Sequence, residues 1–577
     1  MNQKLLVARR RFLKASAAAT AALPFLEAIS SRAMDAGVSS RSWNEETDVL
    51  VVGSGIAGIC AAIEAADAGS HVIVLEKDTQ PGGCAKFSGG HMTVAGTHVQ
   101  TQAGIEDHPD WLYTDMMVDG EMVAVPELIR KYVDAGPEHI AWLEKCGVHF
   151  ANHFQDDSNT DRIRPGVGRG HMIAESHDYP GGPHQGGLGL MIVLLRAAKA
   201  RHTEPELSHT MVRLIQAKRH GEVLGAEIES NGQRYTLRTR KAVIIATGGW
   251  SGNAKMAAAE DPRIDADLFP DCWPYHLCLG EGHLAAVDAG AQLSNMAYGG
   301  YLMPRWGSRM YQIWEPPTFD TVPSIHTGLS IADFSYVMLV KGDGQRYVNE
   351  KLGDPKGTPI LGYEKFSYTP GSFPQHPFIE SYLNLSDRPR NVWAITDYRG
   401  AEALGWLTHQ AEMRSPSPKA GLALYPGMIV ISDTLAGLAQ QMGINAAGLE
   451  QTTLRYNGFL DTGKDSDFNK PMPCPKISMS PFYAVRMALV KHTRRNGIRV
   501  NTKAQVLDRA DLSSTSTALS DNSIDDQAVI PRLYAAGECA HYLGRSHGHG
   551  TLGIYSYYGR IAGQQAASET SSQGIQA

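Results

Sequence analysis

A chain of 577 residues is long enough to bury a large core and to divide into more than one domain. Its formal charge is −7; Lys4, Arg9, Arg10, Arg11, Lys14 and Arg32 against Glu27 give the first 33 residues +5, which leaves −12 for the rest and argues against nucleic acid or an anionic membrane as partner. The seven cysteines include no C-x-x-C and no C-x-x-C-H spacing, which excludes attached haem, a ferredoxin-type iron–sulfur set and a thioredoxin-type pair, and no metal site is expected.

The first segment has the pattern of an export signal. Arg9-Arg10-Arg11-Phe12-Leu13-Lys14 matches the twin-arginine motif, and Ala15 to Phe25 is an alanine-rich apolar stretch too short to span a bilayer. Ser31-Arg32-Ala33 supplies a small-x-small cleavage site. Residues 1–33 are therefore expected to be removed, leaving a periplasmic or secreted protein with no membrane span.

Asp48 to Val52 is a buried apolar strand that runs into Gly53-Ser54-Gly55-Ile56-Ala57-Gly58 at a helix start. The first glycine permits a tight turn, the second lets backbone approach a pyrophosphate, and the third lets helix pack on strand. A second apolar strand, His71 to Leu75, closes on Glu76, placed to accept hydrogen bonds from a ribose diol. Pro81-Gly82-Gly83-Cys84-Ala85-Lys86-Phe87-Ser88-Gly89-Gly90 follows, a loop suited to backbone contact along an extended ligand. Cys60 and Cys84 read as small packing residues.

Strands continue to alternate with helices to about residue 285, and Pro126 to Cys146 reads as an amphipathic helical pair. Within this stretch Ala242 to Ile245 ends in Ala246-Thr247-Gly248-Gly249. From Leu293 to Pro475 the periodicity weakens and Pro, Gly and aromatics accumulate; Val337 to Val340, the turn Gly342-Asp343-Gly344 and Arg346 to Asn349 read as a hairpin. Strand and helix resume at Phe482-Tyr483-Ala484-Val485. Leu533-Tyr534-Ala535-Ala536-Gly537-Glu538 repeats the strand-then-glycine ending, and a helix runs from Thr551 to about Ala567. Its N-terminus would point backbone N–H groups at negative charge on a bound ligand. Ser568 to Ala577 reads as a frayed tail.

A nicotinamide enzyme needs only the first motif, whereas glycine-bearing loops spread over the whole chain suit a longer ligand across a sheet edge. FAD is the predicted cofactor. The residues expected on it are Gly53, Gly55, Ile56, Ala57, Gly58, Glu76, Lys77, Gly82, Gly83, Cys84, Ser88, Gly89, Gly90, Met211, Ala246, Thr247, Gly248, Gly249, Gly537, Glu538, Thr551, Leu552 and Gly553.

The ordered set GSGIAG, LEK, GGCAKFSGG, ATGG, LYAAGE and YYGRIAGQQAA resembles the fumarate reductase and succinate dehydrogenase flavoprotein superfamily, which also holds urocanate reductases and ketosteroid dehydrogenases. The resemblance covers most of residues 46–567. It implies an α/β fold in which a Rossmann-type FAD-binding domain, residues 44–285 and 476–567, is interrupted by an α+β substrate or cap domain, residues 286–475, with a tail at 568–577. It also implies hydride transfer between flavin N5 and a C–C bond next to a carbonyl or carboxylate, in either direction, with an electron donor or acceptor that the sequence does not name.

His492-Thr493 before Ile498 to Lys503 is similar to the family's substrate-binding His-Thr, and Arg545 to its substrate-carboxylate arginine, each offset by one residue; together they would clamp an anionic or carbonyl oxygen. His547 and His549, on a glycine loop, are expected at substrate or flavin.

The departures carry information too. Where fumarate and urocanate reductases place an acidic-function arginine, this chain has Lys351-Leu352-Gly353-Asp354-Pro355, and their His-Pro-Thr motif is replaced by Gly299 to Trp306, which predicts a substrate other than fumarate. Trp306, Tyr311, Trp314 and Phe319 favour one bulkier than a C4 dicarboxylate. Tyr301, Tyr336, Tyr347, Tyr363, Tyr555, Tyr557 and Tyr558 are the candidates for proton handling. No histidine stands where succinate dehydrogenases attach FAD, so FAD is expected to be non-covalent. The competing reading is a flavin-carrying electron-transfer or assembly subunit, which would have no polar clamp.

Overall fold

The computed structural model describes residues 42–88, 90, 92–119, 124–156, 167–174, 186–250, 252–260, 263, 277–294, 301–302, 333–351, 381–382, 384–387, 390–409, 429–487, 490–491, 497–510, 523–543 and 551–572. The export segment, Gly89, the aromatic run Trp306 to Phe319, Tyr363, His492, Arg545, His547 and His549 lie outside them.

Two sheets with separate cores organise the chain. The larger has eight strands. Its centre is the parallel set Val529–Ala535, Gln233–Ile245, Glu45–Val52, Val72–Glu76 and Glu206–Leu207, in that spatial order. Apolar runs such as Val49-Leu50-Val51-Val52 and Ala242 to Ile245 are buried, as a sheet covered on both faces requires. The long strand Gln233–Ile245 also carries, on its first half, an antiparallel meander with Val223–Ser230 and His209–Gln216.

Register fixes the site. Val52 pairs with both Leu75 and Ile245, and Ala535 pairs with Ile245, so four parallel strands end at one level. In open α/β sheets ligands bind beyond such carboxyl ends.

Helix Ile56–Asp67 packs on this sheet with nine of its residues buried. Helix Thr551–Ser568 crosses it at contact distance because it presents glycine to alanine. A Cβ on Gly559 would lie 2.3 Å from the Ala57 carbonyl oxygen, and one on Gly563 2.2 Å from that of Ala61. Both pairs are spaced four apart, so the two helices meet along matched faces.

The second sheet is antiparallel, in the order Met338–Val340, Val392–Thr396, Phe482–Met487, Ile429–Ser432. Alternate residues Met338, Val340, Trp393 and Ile395 turn into a core closed by Leu438, Leu449 and Tyr456 of two helices. Those helices, Leu435–Met442 and Ala446–Thr462, start at side-chain caps from Thr434 and Asn445 and stop at left-handed Gly443 and Gly463. The α/β plan with an interrupting α+β unit is the fold of the chain.

Four expectations are corrected. Strand Phe482–Met487 belongs to the second sheet, not to the returning FAD-binding segment, because it pairs on both edges there, with Val392–Thr396 and Ile429–Ser432. Pro126–Lys145 is one helix of 20 residues with Pro137 inside it; its buried positions stay on one face, so packing outweighs the proline's missing donor. The expected hairpin after Met338–Val340 is a turn closed by Lys341 N–H to Gln345 O with a single bridge, Val340 to Arg346, because Arg346 turns inward to buried carboxylates. The tail is pinned as far as residue 572: Tyr534 donates to Glu569 at 2.7 Å, Arg532 to the Thr570 carbonyl at 2.7 Å, and Ser572 N–H to Arg240 O at 2.7 Å.

Candidate active site

Each of the four aligned strands ends in a turn that faces the same cleft. After Val52 come three glycines with different duties. Gly53 has φ +105°, and a Cβ there would lie 2.4 Å from the Ala246 carbonyl oxygen. At Gly58 it would lie 1.9 Å from that of Gly53. Both glycines make room for protein. No described atom lies within 4 Å of where a Cβ on Gly55 would stand, so its missing side chain leaves space in the cleft. Gly55 is also the N-cap of helix Ile56–Asp67 and supplies no side-chain cap, which leaves first-turn N–H groups for an anion. Gly248, with φ +72°, likewise has nothing within 4 Å.

Glu76 ties the turns together. It is 7 % exposed; one carboxylate oxygen accepts from Ser54 N–H at 3.0 Å and Ser54 Oγ at 2.6 Å, the other from Asp78 N–H at 3.0 Å. Ser54 Oγ in turn accepts from Gly82 N–H at 3.1 Å. The acid at the second strand end thus holds the first glycine turn and the Gly82 loop in place while still edging the cleft. A second tie joins Lys77 to Glu281 at 2.6 Å.

The cleft takes in about 1440 Å³ of space, open solvent at its mouth included. Its walls carry Gly53, Gly55, Ile56 and Ala57 from the first turn; Glu76, Lys77, Gly83, Cys84 and Ser88 from the second; Met211 from the meander; Ala246, Thr247 and Gly248; Gly537 and Glu538; and Thr551 and Leu552 at the last helix start. Five expected residues stand elsewhere. Gly58 and Gly82 have the roles just described. A Cβ on Gly90 would meet Gly186 backbone at 2.1 Å, one on Gly553 the Tyr132 hydroxyl at 2.2 Å, and one on Gly249 the Glu538 carboxylate at 2.7 Å. These three serve close packing behind the wall.

Sequence reasoning missed Ser54, His209, Thr210, Leu277, Cys278 and Glu281. Gly280-Glu281-Gly282 at a helix start was the available signal for the last. Cys84 is not a packing residue; its Sγ lies 3.2 Å from that of Cys278, and both sulfurs lie within 4.8 Å of a Glu538 carboxylate oxygen.

Among the candidate tyrosines, Tyr555 lines the cleft. Tyr558 donates to the Leu128 carbonyl at 2.8 Å, and Tyr557 packs edge-on against His139. The Tyr347 hydroxyl is buried on a half-buried side chain, and burial pushes its pKa well above the ordinary range.

The residues present fit a dinucleotide. Gly55 and Gly248 leave a cradle that any Cβ would fill, and the buried Thr247 hydroxyl in the cleft wall has no partner among the described residues. Residues 48–553 match the family described as FAD binding domain. The chain belongs to that family. Its cofactor is FAD.

A probable fumarate reductase of Shewanella frigidimarina is 28 % identical over 91 % of this chain and 75 % of its own. The open conformation of a flavocytochrome c3 fumarate reductase superposes with TM-score 0.66 at 24 % identity, over 91 % of this chain and 79 % of that one. A 3-ketosteroid-Δ4-(5α)-dehydrogenase from Rhodococcus jostii, in complex with 4-androstene-3,17-dione, gives TM-score 0.60 at 25 % identity, over 92 % and 99 %. Among the described residues no helix is long and apolar enough to cross a membrane.

Proposed function

We propose that this FAD-dependent oxidoreductase acts on a C–C bond adjacent to a carbonyl or carboxylate, in a substrate bulkier than a C4 dicarboxylate, after twin-arginine export. The observation that carries the reading is the single cleft formed where four strand ends meet, in a chain similar over nine-tenths of its length to a fumarate reductase and a ketosteroid dehydrogenase. FAD, held without a covalent bond, supplies a two-electron centre at its N5.

The residues divide the work. Uncapped N–H groups after Gly55 hold the pyrophosphate, and Glu76 holds a ribose diol. The start of helix Thr551–Ser568 favours negative charge on the flavin pyrimidine. Thr247 Oγ1 gains its missing partner from the cofactor. His492 and Arg545, outside the described residues, clamp the electron-withdrawing oxygen of the substrate. Two described neighbours support this. The chain re-enters at Gly497, where a Cβ would lie 2.1 Å from the Cys539 carbonyl oxygen, one residue from Glu538 of the cleft wall. Arg545 precedes Thr551, also of the wall, by six residues.

Anaerobic titration against enones, enoates and their saturated partners tests the reading: one class should bleach or reoxidise the flavin. Losing one charge-assisted donor costs on the order of 3 kcal/mol in the transition state, roughly a hundredfold in rate. His492→Ala and Arg545→Ala should keep FAD and lose turnover by that factor; near-normal turnover in both would move the clamp elsewhere. Replacing Arg9 and Arg10 by lysine should hold folded, yellow protein in the cytoplasm, and continued export would remove that part of the proposal.

A further inference from the structure

Of the six described cysteines, Cys474 donates to the Pro471 carbonyl outside the cleft wall, and the other five fall into two groups. Burial pushes the thiol of Cys60 well up, that of Cys146 to about 11 and that of Cys539 to about 12, so these are inert packing groups. Cys84 and Cys278 differ in their geometry. They are 194 residues apart in sequence, yet their sulfurs are 3.2 Å apart in the cleft wall. Cys84 is partly exposed on the turn Gly83–Phe87, whereas Cys278 is buried just before helix Glu281–Asp288. The same two segments are bridged beside the pair by Lys77 and Glu281.

We propose that Cys84 and Cys278 form a thiol pair that closes to a disulfide across the wall of the FAD cleft and slows exchange of the cofactor. Bonding requires the sulfurs to close by about 1 Å, to the S–S length of about 2.05 Å, a distance that side-chain rotation supplies.

With a small disulfide such as oxidised glutathione as oxidant, the steps balance. Cys84, the accessible thiol, attacks one sulfur as its thiolate, forms a mixed disulfide and expels one glutathione thiolate. Cys278 then attacks Cys84 Sγ and expels the second. The proton of each cysteine ends on a departing glutathione, and Glu538, within 4.8 Å of both sulfurs, is the base at hand to pass the second. The pair loses two electrons and the glutathione disulfide gains them. The product ties the turn after the second strand to the segment before residue 281, both parts of the cleft wall, and on this proposal it opposes the local opening through which FAD leaves.

The test uses the holoenzyme. It is incubated with oxidised glutathione, remaining thiols are alkylated, and a non-reducing digest is read by mass spectrometry beside the rate of FAD release. A cross-linked peptide pair containing Cys84 and Cys278 is expected, with FAD release slowed about tenfold, equivalent to about 1.4 kcal/mol against opening. Dithiothreitol should restore the rate. Cys84→Ser and Cys278→Ser should each lose both the cross-link and the slowing. Full alkylation of both cysteines after oxidation, or a glutathione adduct on Cys84 that never resolves, would overturn the pair. A cross-link with unchanged FAD release would overturn its role in retention.

Discussion

Around the eight-stranded sheet, the close contacts are made by absent side chains. Gly53 meets Ala246, Gly58 meets Gly53, and Gly559 and Gly563 meet Ala57 and Ala61, each with backbone where a Cβ would stand. Around the four-stranded sheet, the buried polar groups are charges that answer one another. Arg346 donates to Glu350 at 2.7 Å and 2.9 Å and to Asp465 at 2.9 Å, and Lys470 stands 3.4 Å from Glu350, all nearly without exposure. Burial alone would raise the Glu350 carboxyl, but Lys470 and Arg346 outweigh it and hold its pKa below the usual carboxylate range. The first region binds through backbone and is shaped by spacing. The second is held by these paired charges beside its apolar core.

The largest expected effect breaks the second region alone. Arg346→Met leaves Glu350 and Asp465 as neighbouring buried carboxylates, a loss of about 3–5 kcal/mol. Urea unfolding should show it, while FAD per folded molecule stays unchanged. A fall in flavin content of the folded fraction would show that the two regions are not independent.

A smaller effect belongs to the first region. Burial holds His171 and His283 at about 4, against an ordinary value of 6.5. Burial keeps the His171 ring neutral even though Nδ1–H donates to the Arg169 carbonyl, a bond that favours the charged form, while Nε2 accepts from Thr97; both ring nitrogens of His283 lack partners among the described residues. The unfolded chain takes up these protons from about pH 6.5 downward and the folded chain does not until about pH 4, so stability falls through that window by about 3 kcal/mol per histidine. His283→Leu should flatten the acid limb of stability against pH by about one proton, or about 1.4 kcal/mol per pH unit. An unchanged slope would place His283 in a solvated setting.

The same contrast sets what the sequence reveals. Strand ends and glycine turns are local: an apolar run into Gly53-Ser54-Gly55 prescribes its backbone path, so the parallel strands and the position of the cleft are legible before any contact is known. Gly90, Gly249 and Gly553 show the limit, because a glycine that admits a ligand and one that admits a neighbouring backbone look alike until the neighbour is seen. The facing of Cys278 and Glu281 onto the cleft was illegible for another reason, although Gly280-Glu281-Gly282 marked a helix start. They reach the wall from some 200 residues beyond the turn they face, at Cys84 and Lys77. Phe482–Met487 was misassigned because an apolar strand carries no mark of the sheet it joins, and Glu569 and Thr570 because a tail held by Tyr534 and Arg532 has the composition of a loose one.

The central claim is that the space left by Gly55 is where FAD lies. Gly55 has φ −64° and ψ 177°, open to any residue, and nothing stands within 4 Å of its missing Cβ. Gly55→Leu should therefore fold with the circular dichroism and urea midpoint of the wild-type apoprotein and purify colourless. The measurement is FAD released per folded molecule on denaturation: near zero is predicted, and a stoichiometric yield from the Gly55→Leu protein would contradict the placement of the cofactor.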